Sequence, residues 1–139
     1  RTFSYFNEIL VILFNNAFCH AGYKQKPEEL NICLEFIEDK NILQIKMLTN
    51  LSEEINVEET KSKIKKIKEN LSLYSNRVYS KDSGSGYIKI ANMLQNYVAS
   101  EGWLLNFGVD NDKEHFFTDL KIIKSAIIGE DDIYADSVD

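Results

Sequence analysis

Proline is nearly absent from this chain, with one in 139 residues (Pro27). That excludes a Pro-rich linker or a collagen-like repeat and leaves long helices and strands free to run. Glycine is scarce as well, six in all, so there is no Gly-rich low-complexity block. Two cysteines, Cys19 and Cys33, allow at most one disulfide, and neither belongs to a CxxC or Cys/His cluster. A disulfide-stapled scaffold and a zinc module are thereby excluded, and buried free thiols of a reducing cytosol are expected. No apolar run approaches the ~18 residues that a membrane helix needs. Nor is there the charged, apolar and small-residue succession of a signal peptide. The expected location is cytoplasmic. The chain opens on Arg1, not Met, inside what reads as a helix. A domain cut from a longer protein is expected, with other domains of that parent or a separate protein as partners.

A basic excess is also missing. The net charge is −6, and five of the 22 acids fall in the segment 130–139, which has no Lys or Arg. The remainder carries 17 acids against 16 bases. A near-neutral body makes no electrostatic claim on nucleic acid, and no such partner is expected. The division is a domain over 1–127 and an acidic, solubilising tail over 128–139. What is present is ordinary for a folded domain: 44% apolar and 27% charged residues, in a chain long enough for one sizeable core.

Hydrophobic periodicity supplies the elements. From Thr2 to Ala21, apolar residues at 5, 6, 9, 10, 13, 14 and 17 recur at helical spacing. Val11 and Ile12 widen that face, which predicts a deeply buried helix. Leu30, Ile32, Leu34 and Phe36 alternate with polar neighbours, as do Leu43, Ile45 and Met47 beyond the turn at 38–41. The two runs predict a hairpin. Val57, Thr60, Ile64, Ile67 and Leu71 form a single stripe on a Lys-rich amphipathic helix. A loop over 75–86, a helix over about 87–100 and a second hairpin, 103–109 with 115–123, complete the order. Trp103, Phe107, Phe116 and Phe117 fall at strand spacings and read as core.

Chemistry-bearing motifs are few. There is no GxSxG, HExxH or Walker pattern. His20 and His115 lie in different elements without metal-ligand spacing. His20, at a helix end, is titratable and open to phosphorylation, or is a plain surface or capping histidine. Ser83-Gly84-Ser85-Gly86 opens a helix. Exposed backbone N–H groups and the helix dipole favour an anion in such a turn, although the same residues also serve as a simple connector.

Taken with its context, that loop resembles part of a known site. The first helix, Ile9-Leu10-Val11-Ile12-Leu13-Phe14-Asn15-Asn16-Ala17-Phe18-Cys19-His20, is similar to the N box of the GHKL superfamily (gyrase, Hsp90-like chaperones, histidine kinases and MutL). The hairpin after it and the 84–94 segment are similar to what leads to that superfamily's first glycine box and to its second glycine box. The likeness in element order spans about residues 3–123. It implies ATP and Mg²⁺ as cofactors, with Asn16 as the ligand to Mg²⁺ and Gly84 and Gly86 at the phosphates.

The match is incomplete. One turn before Asn16, where the gyrase-like branch carries a water-activating Glu, stands Ile12, which accepts no proton. The first glycine box, Asp-x-Gly-x-Gly, is replaced by Thr49-Asn50-Leu51-Ser52-Glu53. Thr49 and Asn50 would border the adenine in place of the missing Asp, and both glycines of that box are lost.

The expected fold is α+β: a two-layer α/β sandwich with a mixed, mainly antiparallel sheet and three helices on one face, of the Bergerat or histidine-kinase ATPase type. The expected function is a non-catalytic or weakly nucleotide-binding GHKL-like module that mediates protein interaction or regulation within a larger protein. Two alternatives stay open. One is an active or nucleotide-gated ATP-binding domain with 72–86 as its lid. The other is an unrelated α+β structural domain, whose sign would be an incompatible strand order.

Overall fold

A computed structural model describes residues 2–72, 86–112 and 114–128. Residues 73–85 of the expected lid and all of the expected acidic tail except Ile128 lie outside the described residues, so the boundary of that tail is not tested.

Helix α1 (Thr2–His20) buries the stripe that its 3–4 spacing predicts, with Ile9 and Leu13 almost fully enclosed. Its burial is narrower than the sequence suggests. Val11 is 57% exposed, and Phe14 and Phe18 are also exposed. A helix lying on a sheet encloses only the arc that faces it, and these three residues fall outside that arc.

Strands β1 (Ile32–Asp39) and β2 (Ile42–Asn50) form the first hairpin, closed by Lys40 in the left-handed region (φ 50) and Asn41. Helix α2 (Val57–Ser72) is capped by Asn56, whose Oδ1 accepts from the Glu59 backbone N–H at 3.1 Å. Glu58 and Glu59 in its first turn suit the positive end of the helix dipole. Helix α3 (Gly86–Met93) runs into a wider π-type turn over Leu94–Val98, in which the Ala99 N–H reaches the carbonyl of Leu94 at 2.9 Å. Strands β3 (Trp103–Val109) and β4 (His115–Ile123) make the second hairpin, with the bounds that alternation alone predicts.

The four strands form one sheet in the order β1-β2-β4-β3, and every pairing among the described residues is antiparallel. Register sorts the side chains by face. The rows Leu34–Met47–Thr118–Phe107 and Phe36–Ile45–Leu120–Leu105 point to the helix layer. There Ile9, Leu13, Ile64, Ile90, Leu94 and Val98 meet Ile45, Met47, Phe107, Leu120 and Ile122 in one core. Each such side chain, fully buried, contributes roughly 1.5–3 kcal/mol.

The opposite face carries Cys33, Leu48 and Phe117 in one row and Glu35, Lys46 and Asp119 in the next. Phe117 is therefore not part of the core. Cys33 is exposed on that uncovered face, and Cys19 is exposed near the end of α1. The expectation of buried thiols is overturned: Cys33 lies on the sheet face opposite the helix layer, and Cys19 lies exposed in the last turn of α1.

Candidate functional site

Where α1 ends, the chain turns at Gly22 (φ 90). A Cβ there would come within 2.8 Å of Ser52 Cβ and of the Ile55 side chain. The Ser52 N–H donates to the Ala21 carbonyl at 2.9 Å, and the Leu51 N–H to Glu114 at 2.7 Å. The Gly22 approach and the Ser52 bond hold the 51–56 turn against the end of α1, and the Leu51 bond ties it to the residue before β4. Between that turn, α1, α2, the end of β2 and the start of α3 lies a cavity of about 550 Å³, within the usual range for a small-molecule site.

Asn16, Thr49 and Gly86, three of the residues singled out by sequence, line this cavity together. A Cβ on Gly86 would meet Asn16 Nδ2 at 2.9 Å and Ile12 Cγ2 at 2.5 Å. The close approach of α3 to α1 thus depends on the bare glycine backbone, and it packs a hydrocarbon, not a carboxylate, one turn before Asn16. The Asn16 amide has no hydrogen-bond partner among the described residues.

Thr49 is 2% exposed, and its hydroxyl likewise has no partner among the described residues. Its counterpart on β4 behaves differently. Thr118, equally buried, shares a 2.7 Å hydrogen bond with the Tyr87 hydroxyl. Burial pushes that phenol well above the usual tyrosine range, so it stays neutral. Tyr87 stacks flat on Phe107 with ring centroids 3.8 Å apart, which anchors the first turn of α3 at the cavity wall.

Asn50 stands apart from the cavity. Its Oδ1 accepts from the Asn31 N–H at 2.7 Å, and its Nδ2 donates to Tyr23 Oη at 2.9 Å and to the Glu29 carbonyl at 3.0 Å. It therefore ties the 23–31 connection to the end of β2. Gly84 lies outside the described residues. Leu51, where the resemblance would have a glycine, lines the cavity.

Four lining residues, Cys19, His20, Lys24 and Lys63, were not expected as a group. Partial burial lowers the His20 imidazole below its ordinary value, and the charges of Lys24 and Lys63 lower it further. His20 follows Asn16 by four residues, one turn along the same helix face, and that was visible in the sequence. Lys24 in a connection and Lys63 on a charged helix face gave no such signal.

Among the described residues no group of three His, Cys, Asp or Glu side chains could hold a metal ion. The donor set does not fit a cation held by protein alone. Asn16, with its free amide oxygen, fits as a single hard ligand to Mg²⁺ carried in on phosphates. Among the described residues no helix is long and apolar enough to cross a membrane.

No protein-family model matches this chain, and no curated protein matches it. Among solved structures, it is similar to the catalytic domain of the histidine kinase ThkA, in a nucleotide-free form. The likeness has a TM-score of 0.50 at 15% identity and covers 87% of this chain and 67% of that one. At that identity the comparison defines a fold. The chain has an α+β fold of the histidine-kinase ATPase type, its four described strands lying in the order β1-β2-β4-β3.

Proposed function

We propose that this chain is a non-catalytic GHKL-like module that keeps a nucleotide-sized pocket, binds nucleotide weakly if at all, and acts in regulation or protein interaction within a larger protein. The observation that carries the reading is the contact of Ile12 with Gly86 beside Asn16. In the gyrase-like branch of the superfamily that the chain resembles, a water-activating Glu stands where this chain has Ile12, and a hydrocarbon cannot take a proton. Glu54, a carboxylate that does line the cavity, belongs to the exposed turn before α2 and not to α1.

The exposed Val11, Phe14 and Phe18 favour the interaction role. Their spacing of three and four places them on one side of α1, and apolar side chains gathered on a surface mark docking sites more often than isolated ones do. The partner would be another domain of the parent or a separate protein.

A phosphate-release assay with ATP and Mg²⁺ tests the reading. No turnover above the protein-free rate is expected, and Ile12→Glu is expected to leave that result unchanged because the adenine end is also altered at Thr49–Glu53. Mg²⁺-dependent ATP hydrolysis by the native sequence, abolished by Asn16→Ala in a variant that still folds, would overturn it.

A further inference from the structure

The cavity combines three features. Its depth is apolar, walled by Leu13, Met47, Ile64 and Ile67. Within it, the Thr49 hydroxyl is buried and without a hydrogen-bond partner among the described residues, a state that disfavours an empty site and suits one that is filled. Beside His20 stand two cationic lining residues from different elements, Lys24 in the connection after α1 and Lys63 on α2.

We propose that this cavity binds a small organic anion, with the apolar body of the ligand inside and its phosphate, sulfonate or carboxylate group held by Lys24 and Lys63. The charge balance supports this arrangement. Lys24 has no ion-pair partner among the described residues. Lys63 has Glu59 at 3.7 Å, an exposed i,i+4 pair of the weak kind that an incoming anion can outcompete. Among the described residues Glu54 is the one acid that lines the cavity, against these two lysines. His20 feels both lysines, so all three groups share one neighbourhood, and an anion seated there would favour the imidazolium as well. The proposal concerns the same cavity as the nucleotide reading, but the ligand need not be a nucleotide. The anion is placed by the lysines and not by the 84–86 loop.

Cys19 provides a local readout, since it is exposed and lines the cavity, whereas Cys33 lies on the far face of the sheet. In a Cys33→Ser background, the rate of Cys19 modification by a thiol reagent is measured against increasing 1-anilinonaphthalene-8-sulfonate. The comparison probe is N-phenyl-1-naphthylamine, which has the same rings without the sulfonate. The sulfonate probe is expected to protect Cys19 at about tenfold lower concentration than the neutral one. That advantage is expected to vanish in Lys24→Ala/Lys63→Ala and to persist in Lys24→Arg/Lys63→Arg.

Equal protection by the two probes, or an advantage untouched by removal of both lysines, would overturn the anion site even if ATP binds. A lysine-dependent sulfonate advantage with no ATP binding would uphold the anion site and refute its use by nucleotide.

Discussion

Gly86 and Asn16 face each other across the α3–α1 contact so closely that a β-carbon on the glycine would lie 2.9 Å from the amide nitrogen of the asparagine. The same carbon would lie 2.5 Å from Ile12 Cγ2. The start of α3 is therefore seated directly against α1 at Ile12 and Asn16. Gly86→Ala is expected to destabilise the domain by about 1–3 kcal/mol through overpacking. Ile12→Ala in the same chain is expected to recover part of that loss, with a coupling of about 0.5–3 kcal/mol. Denaturant titrations of the two single variants and the double variant measure it, and strict additivity would contradict the contact.

Thr49 gives a prediction of opposite sign. Removing a buried hydroxyl that lacks a partner relieves its desolvation cost while nearly preserving shape. Thr49→Val is expected to raise stability by about 1 kcal/mol, whereas Thr118→Val, which breaks the bond to Tyr87, is expected to lower it. Thermal melts of the two variants side by side test the contrast.

The pH dependence follows from His20. Burial, Lys24 and Lys63 hold its folded pKa below the ordinary 6.5. As pH falls through 6.5 the unfolded chain takes up the proton first, so stability is lost on the acid side and is unaffected above it. His20→Gln is expected to reduce the fall in stability below pH 6.5 and to leave stability at pH 8 close to that of the native sequence. Denaturation midpoints across that window show whether it does.

Asn50 separates framework from site. Its three hydrogen bonds join the 23–31 connection to β2, and Asn50→Ala is expected to cost about 1–3 kcal/mol. In conditions where the variant is folded, the sulfonate probe should protect Cys19 as it does in the native sequence. A selective loss of protection at unchanged stability would place Asn50 in the site.

The layers of the fold were legible because burial on one face writes a period into the sequence. The alternation at 103–109 and 115–123 sets both strands of the second hairpin, and the stripe at 57–71 sets α2. Asn16, Thr49 and Gly86 could be picked out because a resemblance fixes positions relative to motifs. Their convergence on one cavity depends on how α1, β2 and α3 pack, which no local pattern carries.

The outer face of α1 misled for a related reason. Val11 and Phe14 look like core by composition, yet only the arc facing the sheet is enclosed. Lys24 and Lys63 were invisible as a pair because they lie 39 positions apart in sequence and each sits in an ordinary charged context. Asn50 read as a site residue because it adjoins Thr49, but successive side chains of a strand point to opposite faces, which turns its amide away.

Calorimetric titration with a non-hydrolysable ATP analogue, with and without Mg²⁺, tests the non-catalytic reading most directly. It predicts no binding tighter than about 100 µM, and the same result whether or not Mg²⁺ is present. Micromolar binding that requires Mg²⁺ and is lost in a folded Asn16→Ala variant would contradict it and make Asn16 and Gly86 parts of a working ATP site.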